Sequence, residues 1–236
     1  MQSDITELSL QDQFLTWFEK NKQTVAWGAL ALALLGAAAG IYFYRQNQVQ
    51  AEAGEALSKI TAAGMTGGTT AGSTEAMLKV VSDYPNTDAA RQSLLLAAGN
   101  LFAEGKYKEA QTQFDRFLRE YRESSFAGQA LLGVAACKDA QSLTNDAIAA
   151  YKDIVDHHSS ESVVPQARFA LGRLYEAQGK LELARDAYQQ VAQIDPNGAL
   201  GSEAQMRLAE LFSQNPALIP ARATPTGTPT LTIPKS

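Results

Sequence analysis

The uncharged run over residues 23–44 constrains the fold of this chain more than any other feature of its sequence. Lys22 and Arg45 bracket the run, and residues 25–44 are all Val, Ala, Trp, Gly, Leu, Ile, Tyr or Phe. As a helix, these residues measure about 30 Å, the thickness of the hydrocarbon core of a bilayer. Aromatic residues stand near both ends, as in an interfacial belt. We therefore predict a transmembrane helix, the span, over residues 23–44.

A cleavable signal peptide is the alternative interpretation of this run. Ala37-Ala38-Ala39 ahead of Gly40 fits the small-residue pattern of a cleavage site. Against cleavage, the preceding segment is long and acidic, and the apolar run continues to residue 44. We favour a retained anchor. The flanking charges nearly balance, so the orientation rests on size: a short head before a large translocated domain places the N-terminus in the cytoplasm.

Residues 1–22 form the head, and two interpretations of it stay open. Apolar residues fall on one side of a predicted helix over residues 4–22, which would lie at the membrane surface. A frayed tail with scattered aromatic residues fits equally well. Beyond the span, residues 45–88 are predicted as a connecting helix to about Ala63, a Gly/Thr loop over residues 64–73, and a short helix belonging to a degenerate repeat.

From residue 89 the chain repeats itself with a period of 37 residues, since Ala110, Ala147 and Ala184 are evenly spaced. Each alanine is followed four residues later by an aromatic ring. A fixed period of roughly 20 to 50 residues is typical of a solenoid. The predicted helices cover residues 89–104, 107–121, 125–141, 144–157, 162–178 and 181–194, and the repeats extend to residue 214. The predicted fold is all-α: an N-terminal transmembrane helix, then a solenoid of helical hairpins.

Composition limits the remaining possibilities. The net charge is -5 and no run of Lys or Arg occurs, so we predict no nucleic-acid binding. Residues 215–236 hold five of the eight prolines, and we predict a disordered Pro/Thr tail there.

Nothing in the sequence indicates an enzyme, a cofactor or a metal site. The histidines His157 and His158 are adjacent, and adjacent helical residues point about 100° apart, which is a poor chelate. The single cysteine, Cys137, lies in an Ala-rich helix and is predicted to be a buried, small apolar residue.

The third unit resembles the tetratricopeptide repeat. Its matching residues are Leu171, Gly172, Tyr175, Gly179, Ala184, Tyr188 and Pro196. The second unit departs most from that pattern, with Ser142 in place of the turn glycine and no closing proline. The resemblance implies that the first helix of each hairpin lines a concave groove.

The partner-binding groove implied in this way has apolar rungs and a few charges, which suit an amphipathic or unfolded protein segment. Its candidate residues are Leu95, Phe102, Leu132, Phe169, Arg173, Glu176, Met206 and Glu210. Whether the four rungs at positions 95, 132, 169 and 206 line the groove or belong to the core stays open at this point.

The head and span together resemble the YfgM family, which are ancillary subunits of the SecYEG translocon. The resemblance lies in residues 14–21, Phe-Leu-Thr-Trp-Phe-Glu-Lys-Asn, the span and the helix over residues 45–57. It implies a single-pass bacterial inner-membrane protein whose periplasmic repeat domain works with translocon subunits and a membrane-tethered chaperone. The repeats also resemble periplasmic cell-division coordinators. A soluble periplasmic protein that coordinates envelope assembly or division is therefore the second functional hypothesis.

Overall fold

The structure is a computed structural model that describes residues 10–65, 70–157 and 162–219, without the side chains of residues 10–16, 19, 65 and 70–72. Every regular element in these ranges is helical, which confirms the predicted all-α class. The α-helices are α1 (Leu10–Met65), α2 (Thr70–Asp83), α3 (Asp88–Ala103), α4 (Tyr107–Glu120), α5 (Ala127–Ala140), α6 (Thr144–His157), α7 (Val164–Ala177), α8 (Leu181–Ile194) and α9 (Ala199–Gln214). A 3₁₀ turn, Pro216–Leu218, follows α9.

Helix α1 has one break, at Asn21, whose φ of -112° and ψ of 15° are not helical. The Asn21 side-chain amide donates to the Trp17 carbonyl at 2.9 Å and so satisfies a backbone acceptor ahead of the break. The break falls at the predicted border between head and span. Beyond it, residues 26–44 are all exposed, and the helix is long and apolar enough to be a candidate membrane span.

The helix does not stop where the apolar run ends. It continues to Met65, close to the predicted end at about Ala63. Ala53 and Leu57 on this upper part are 0% and 7% exposed and belong to one cluster with Val80 and Ala89. The backbone N–H of Asp88 donates to Gln50 Oε1 at 3.0 Å. The candidate span and the repeats are therefore joined by one continuous helix, which packs against the repeats from Gln50 onward.

The period of 37 residues is kept in the helix boundaries as well as in the side chains. Helices α2, α4, α6 and α8, the second helices of their hairpins, begin at residues 70, 107, 144 and 181. The upper part of α1 occupies the place of a first helix, because Ala53 and Leu57 stand 37 residues before the fully buried Ala90 and Leu94. The predicted degenerate repeat is thus a complete front hairpin, α1 with α2, followed by the pairs α3–α4, α5–α6 and α7–α8.

Small residues bring the helices of a hairpin together, as the sequence predicts. A Cβ atom on Gly172 would lie 2.5 Å from the Tyr188 ring, so only glycine leaves room for that ring. The turns between the paired helices need a positive φ, which Gly105 supplies at 77° and Gly179 at 70°. Ser142 adopts φ 61° at the equivalent position, an unfavourable conformation for a residue with a side chain.

Several predictions for irregular segments change or lie outside the described residues. Of the predicted Gly/Thr loop over residues 64–73, residues 66–69 are outside, and α2 already begins at Thr70. Of the predicted tail, residues 215–219 fold against the end of the solenoid. There the Leu218 side chain is buried, and its carbonyl accepts from Arg185 Nη1 at 3.5 Å. Residues 1–9, 158–161 and 220–236 lie outside the described part of the chain.

Candidate partner-binding groove

The predicted groove residues all lie on first helices. Leu95 and Phe102 are on α3, and Leu132 is on α5. Arg173 stands with Phe169 and Glu176 on α7, and α9 carries Met206 and Glu210. First helices contact each other directly, α3 with α5 and α7 with α9, in addition to their contacts within hairpins. The sequence therefore placed these residues in one layer, but their burial differs strongly.

The apolar rungs divide between surface and core. Leu95 and Leu132 are half-buried against two different core clusters. Phe169 is only 8% exposed, and its ring packs against Tyr188 with centroids 5.4 Å apart. Met206 is 65% exposed. Core packing thus accounts for Phe169, whereas Met206 and the outer edges of the two leucines form accessible apolar surface.

Two of the three charged residues of the groove, Arg173 and Glu176, are engaged with neighbouring helices, whereas Glu210 lies 3.6 Å from Arg207 on its own helix. Arg173 Nη2 on α7 lies 2.8 Å from Asp139 Oδ2 on α5. Glu176 Oε2 accepts a hydrogen bond from the Tyr188 hydroxyl at 2.8 Å. Burial, and next the bond to Glu176, raise the pKa of Tyr188 well above its ordinary range, so this hydroxyl keeps its proton. These contacts fix the rotation of α7 and therefore which of its side chains are exposed.

Sequence reasoning missed part of this layer. Asp139 was not among the candidates, although it stands 37 residues after Phe102 and 37 before Glu176. Gln92, Gln129 and Gln166 are also spaced by 37 and are exposed on three successive first helices. The period of the repeat could have found both sets. The exposed side-chain amides of the three glutamines can donate and accept hydrogen bonds, as a peptide backbone requires.

The cysteine and the two histidines were the candidates for chemical reactivity or metal binding. Cys137 is fully buried. Burial, and next the negative charge of Asp115, raise the pKa of its thiol to about 11, so the nucleophilic thiolate is scarce at neutral pH. His157 is exposed, with Nδ1 2.9 Å from Asp153 Oδ1, and His158 lies outside the described residues. Within the described ranges, no three His, Cys, Asp or Glu side chains are grouped so that they could hold a metal ion.

Comparison with known proteins identifies the family and the fold. The profile of the tetratricopeptide repeat-like domain family matches residues 16–213, which include the span as well as the repeats. A comparison with curated protein sequences finds no match.

Two solved structures share the fold at low sequence identity. The MamA RS-1 ArsTM double mutant is 17% identical with a TM-score of 0.55, over 69% of this chain and 84% of that one. A tetratricopeptide repeat protein from Parabacteroides merdae is 14% identical with a TM-score of 0.53, over 71% of this chain and 61% of that one. PcrH from Pseudomonas aeruginosa, at 18% identity, has a TM-score of 0.46 over 53% of this chain and 94% of its own.

Proposed function

Because this chain belongs to the tetratricopeptide repeat-like domain family, we propose that it is a membrane-anchored, non-enzymatic scaffold that binds protein partners. In this proposal, residues 23–44 cross the bacterial inner membrane once, with the N-terminus in the cytoplasm. The repeats lie in the periplasm and work beside the Sec translocon in protein export and chaperone handover. The partners are translocon subunits, a membrane-tethered chaperone, and unfolded or amphipathic segments.

The observation that carries the proposal is the absence of a flexible linker between span and groove within residues 22–65. Gln50, which accepts from the backbone of Asp88, lies six residues beyond Tyr44. At 1.5 Å per residue, the first repeat therefore begins only about 9 Å beyond the end of the apolar run. A scaffold held so close to the bilayer is suited to partners that leave the membrane or are themselves anchored in it.

The surface chemistry of the groove supports a protein segment as its ligand. The half-buried Leu95 and Leu132 and the exposed Met206 provide apolar contacts, and the exposed glutamines provide hydrogen-bonding groups between them. Grooves of this kind bind helices through spaced apolar anchors, or extended chains through backbone hydrogen bonds. The exposed acidic residue Glu203 on α9 favours a segment with a basic end.

Continuity of the helix through Ala39 favours the anchor over the cleaved alternative. Cleavage there would leave residues 40–44 as an exposed apolar stub, Gly-Ile-Tyr-Phe-Tyr, at the end of an exposed helix. Fractionation of cells checks this directly. A mature protein that lacks the first 39 residues and is found in the soluble fraction would contradict the anchor and support the second hypothesis.

Site-specific photocrosslinking in cells tests partner binding. A photoreactive amino acid at Leu95, Leu132 or Met206 should capture partners that mass spectrometry then identifies. The matched control is the same amino acid at Lys152, which is exposed on the second helix α6. Equal capture from Lys152 would show that the groove has no special role.

A charge substitution on the groove gives a second test. Met206→Glu and Leu132→Glu should weaken capture while leaving helicity intact. Phe169→Glu should instead unfold its hairpin, because Phe169 packs against Tyr188 in the core. Unchanged capture in folded Met206→Glu and Leu132→Glu variants would contradict the groove.

A further inference from the structure

The exposed glutamines of the groove belong to a longer row of residues that crosses all the first helices described above. The members of this row are each 37 residues apart: Glu55, Gln92, Gln129, Gln166 and Glu203. They lie in order on α1, α3, α5, α7 and α9, and all are exposed. We name this row the Gln/Glu ladder.

The ladder has free hydrogen-bonding capacity. Gln92 and Gln129 form no side-chain hydrogen bond with any residue in the described ranges. The amide nitrogen of Gln166 lies 2.8 and 3.1 Å from two backbone carbonyls at the start of α7, which leaves its oxygen as an acceptor. At the α9 end, the Glu203 carboxylate forms no ion pair with a described residue. The ladder therefore offers amide donors in its middle and a negative charge beside α9.

Small residues leave a low surface beside the ladder. Residues four or seven positions after a ladder residue share its side of the helix. Four of them are small: Gly99, Gly133, Ala136 and Ala170. Leu96 on α3 adds an apolar side chain that is 42% exposed. A peptide backbone can therefore come within hydrogen-bonding distance of the glutamines, with an apolar contact at α3.

The spacing of the ladder is suited to an extended peptide. Neighbouring packed helices lie about 8–10 Å apart, so ladder residues recur at about that distance. A polyproline II segment advances about 9.3 Å per turn of three residues and has no internal hydrogen bonds, so at this interval it presents free carbonyls on one side. A helical ligand bonds its own carbonyls and offers none to the glutamines. The ladder therefore favours a proline-rich segment.

The chain itself carries such a segment next to the groove. Residues 220–236 hold four prolines and five threonines, a composition that favours polyproline II. They follow Ile219, which comes directly after the buried Leu218 at the end of α9. The segment has two basic residues and no acidic one, which complements the unpaired Glu203 on that helix.

The length of residues 220–236 matches the ladder. The distance along α9 from Gln214 back to Glu203 is about 16 Å, and four helix spacings from there to Glu55 add about 36 Å. The 17 residues reach about 53 Å in polyproline II conformation. The segment is therefore long enough to follow the ladder from α9 to α1.

We propose that residues 220–236 lie along the Gln/Glu ladder and compete with protein partners for the groove. Gln92 and Gln129 donate to carbonyls of the segment, and its Ile233 contacts Leu96 on α3. A tethered ligand has an effective concentration in the millimolar range, so an intrinsic dissociation constant of about 1 mM fills the groove half of the time. The inference rests on the proposed function, because it concerns regulation of the same groove.

Disulfide formation in the full-length protein in detergent tests where the segment lies. In a Cys137→Ala background, Thr230→Cys with Gln129→Cys should oxidise about tenfold faster than Thr230→Cys with Lys152→Cys, which is exposed on α6. Mass spectrometry of peptides from the monomer identifies the bond. Equal rates would show that the segment meets both surfaces alike and would overturn the site.

The same assay tests the ladder as the ligand of the segment. Gln92→Ala should slow the disulfide between positions 129 and 230 about twofold to tenfold, because a hydrogen bond to the segment is lost. The matched control, Gln189→Ala, removes an exposed amide from the second helix α8 and should leave the rate unchanged. The same rate in both variants would overturn the role of the amides.

Removal of residues 220–236 tests the competition. In isolated membranes, photocrosslinking from Leu132 should capture about twofold to tenfold more partner in the shortened protein, because the free fraction of groove rises. A synthetic peptide of residues 220–236 at millimolar concentration should restore the lower capture, and one with its prolines replaced by alanine should do so less. Unchanged or lower capture after removal would overturn the competition.

The two kinds of measurement keep the proposals apart. Absence of partner capture in both the full-length and the shortened protein would count against the proposed function. The disulfide rates would still decide whether residues 220–236 lie along the ladder, since that assay needs no partner.

Discussion

The two parts of α1 beyond Asn21 share the same helical backbone conformation but differ in burial: one is exposed and the other packs against the repeats. The lower part, residues 23–44, is uncharged, is apolar on all sides over residues 25–44, and is exposed throughout residues 26–44. The upper part, residues 50–65, carries a narrow apolar stripe and buries it, with Ala53 at 0% exposure. A helix satisfies its own backbone hydrogen bonds, so it can pass from lipid to a packed protein core without a break. The side chains alone decide which part is exposed as a candidate membrane span and which packs against a neighbouring helix.

The largest expected contrast comes from leucine truncation in the two parts. Leu57→Ala should destabilise the front hairpin by about 2–5 kcal/mol, because it leaves a cavity among Val80 and Ala89. Leu34→Ala, at a side chain that is 63% exposed, should leave the repeats unchanged. Hydrogen exchange of α2 and α3 in detergent micelles measures both. Equal loss of protection from hydrogen exchange in both variants would contradict the difference in packing between the two parts.

A proline at the junction tests whether the two parts move as one body. Asn47→Pro should kink the exposed connecting turn, since proline costs about 3 kcal/mol inside a helix. Distances between spin labels at Leu30→Cys and Gln129→Cys, in a Cys137→Ala background, should broaden. Asn47→Ala is the control and should keep one narrow distance. A broad distribution in the control as well would show that the connection is already flexible.

Glycine substitutions should affect the two parts of α1 and the repeats by smaller amounts. Gly172→Ala should cost about 1–3 kcal/mol, because its Cβ would overlap the Tyr188 ring. Gly36→Ala in the lower part meets nothing within 4 Å and should stabilise that helix by up to about 1 kcal/mol. Thermal unfolding of the repeats and helicity of the span give the two measurements. If Gly36→Ala is destabilising in a bilayer, another helix packs on that face.

The smallest effect concerns the thiol in the solenoid core. The pKa of Cys137, raised to about 11 from 9.0, means that the folded state holds this proton more tightly than the unfolded state. Its contribution to stability is therefore present below pH 9 and is lost as the pH rises towards 11. Cys137→Ala should flatten that part of the stability profile. Alkylation at pH 8 should be slow at Cys137 and fast at Ser58→Cys on the exposed side of the upper part of α1; similar rates would contradict the burial.

Periodicity was enough to predict most of the fold. The helices over residues 144–157 and 181–194 have the predicted boundaries, because each unit repeats the same turn and the same small residues. The period also places side chains around each helix, which is why the groove residues share one layer. It does not tell whether a ring from the neighbouring helix covers a given residue, as Tyr188 covers Phe169.

Helix α1 is unbroken from Lys22 to Met65, so its length fixes the direction in which the repeats face relative to the lower part of the helix. One residue inserted near Asn47 would rotate the repeats by about 100° around the axis of α1 and move them about 1.5 Å along it, without altering any contact inside them. Seven inserted residues would return the rotation of the repeats to within about 20° of the original and move the groove about 10 Å along the axis. The length of this exposed stretch of helix, residues 45–49, thus sets the direction in which the repeats face around the axis of α1.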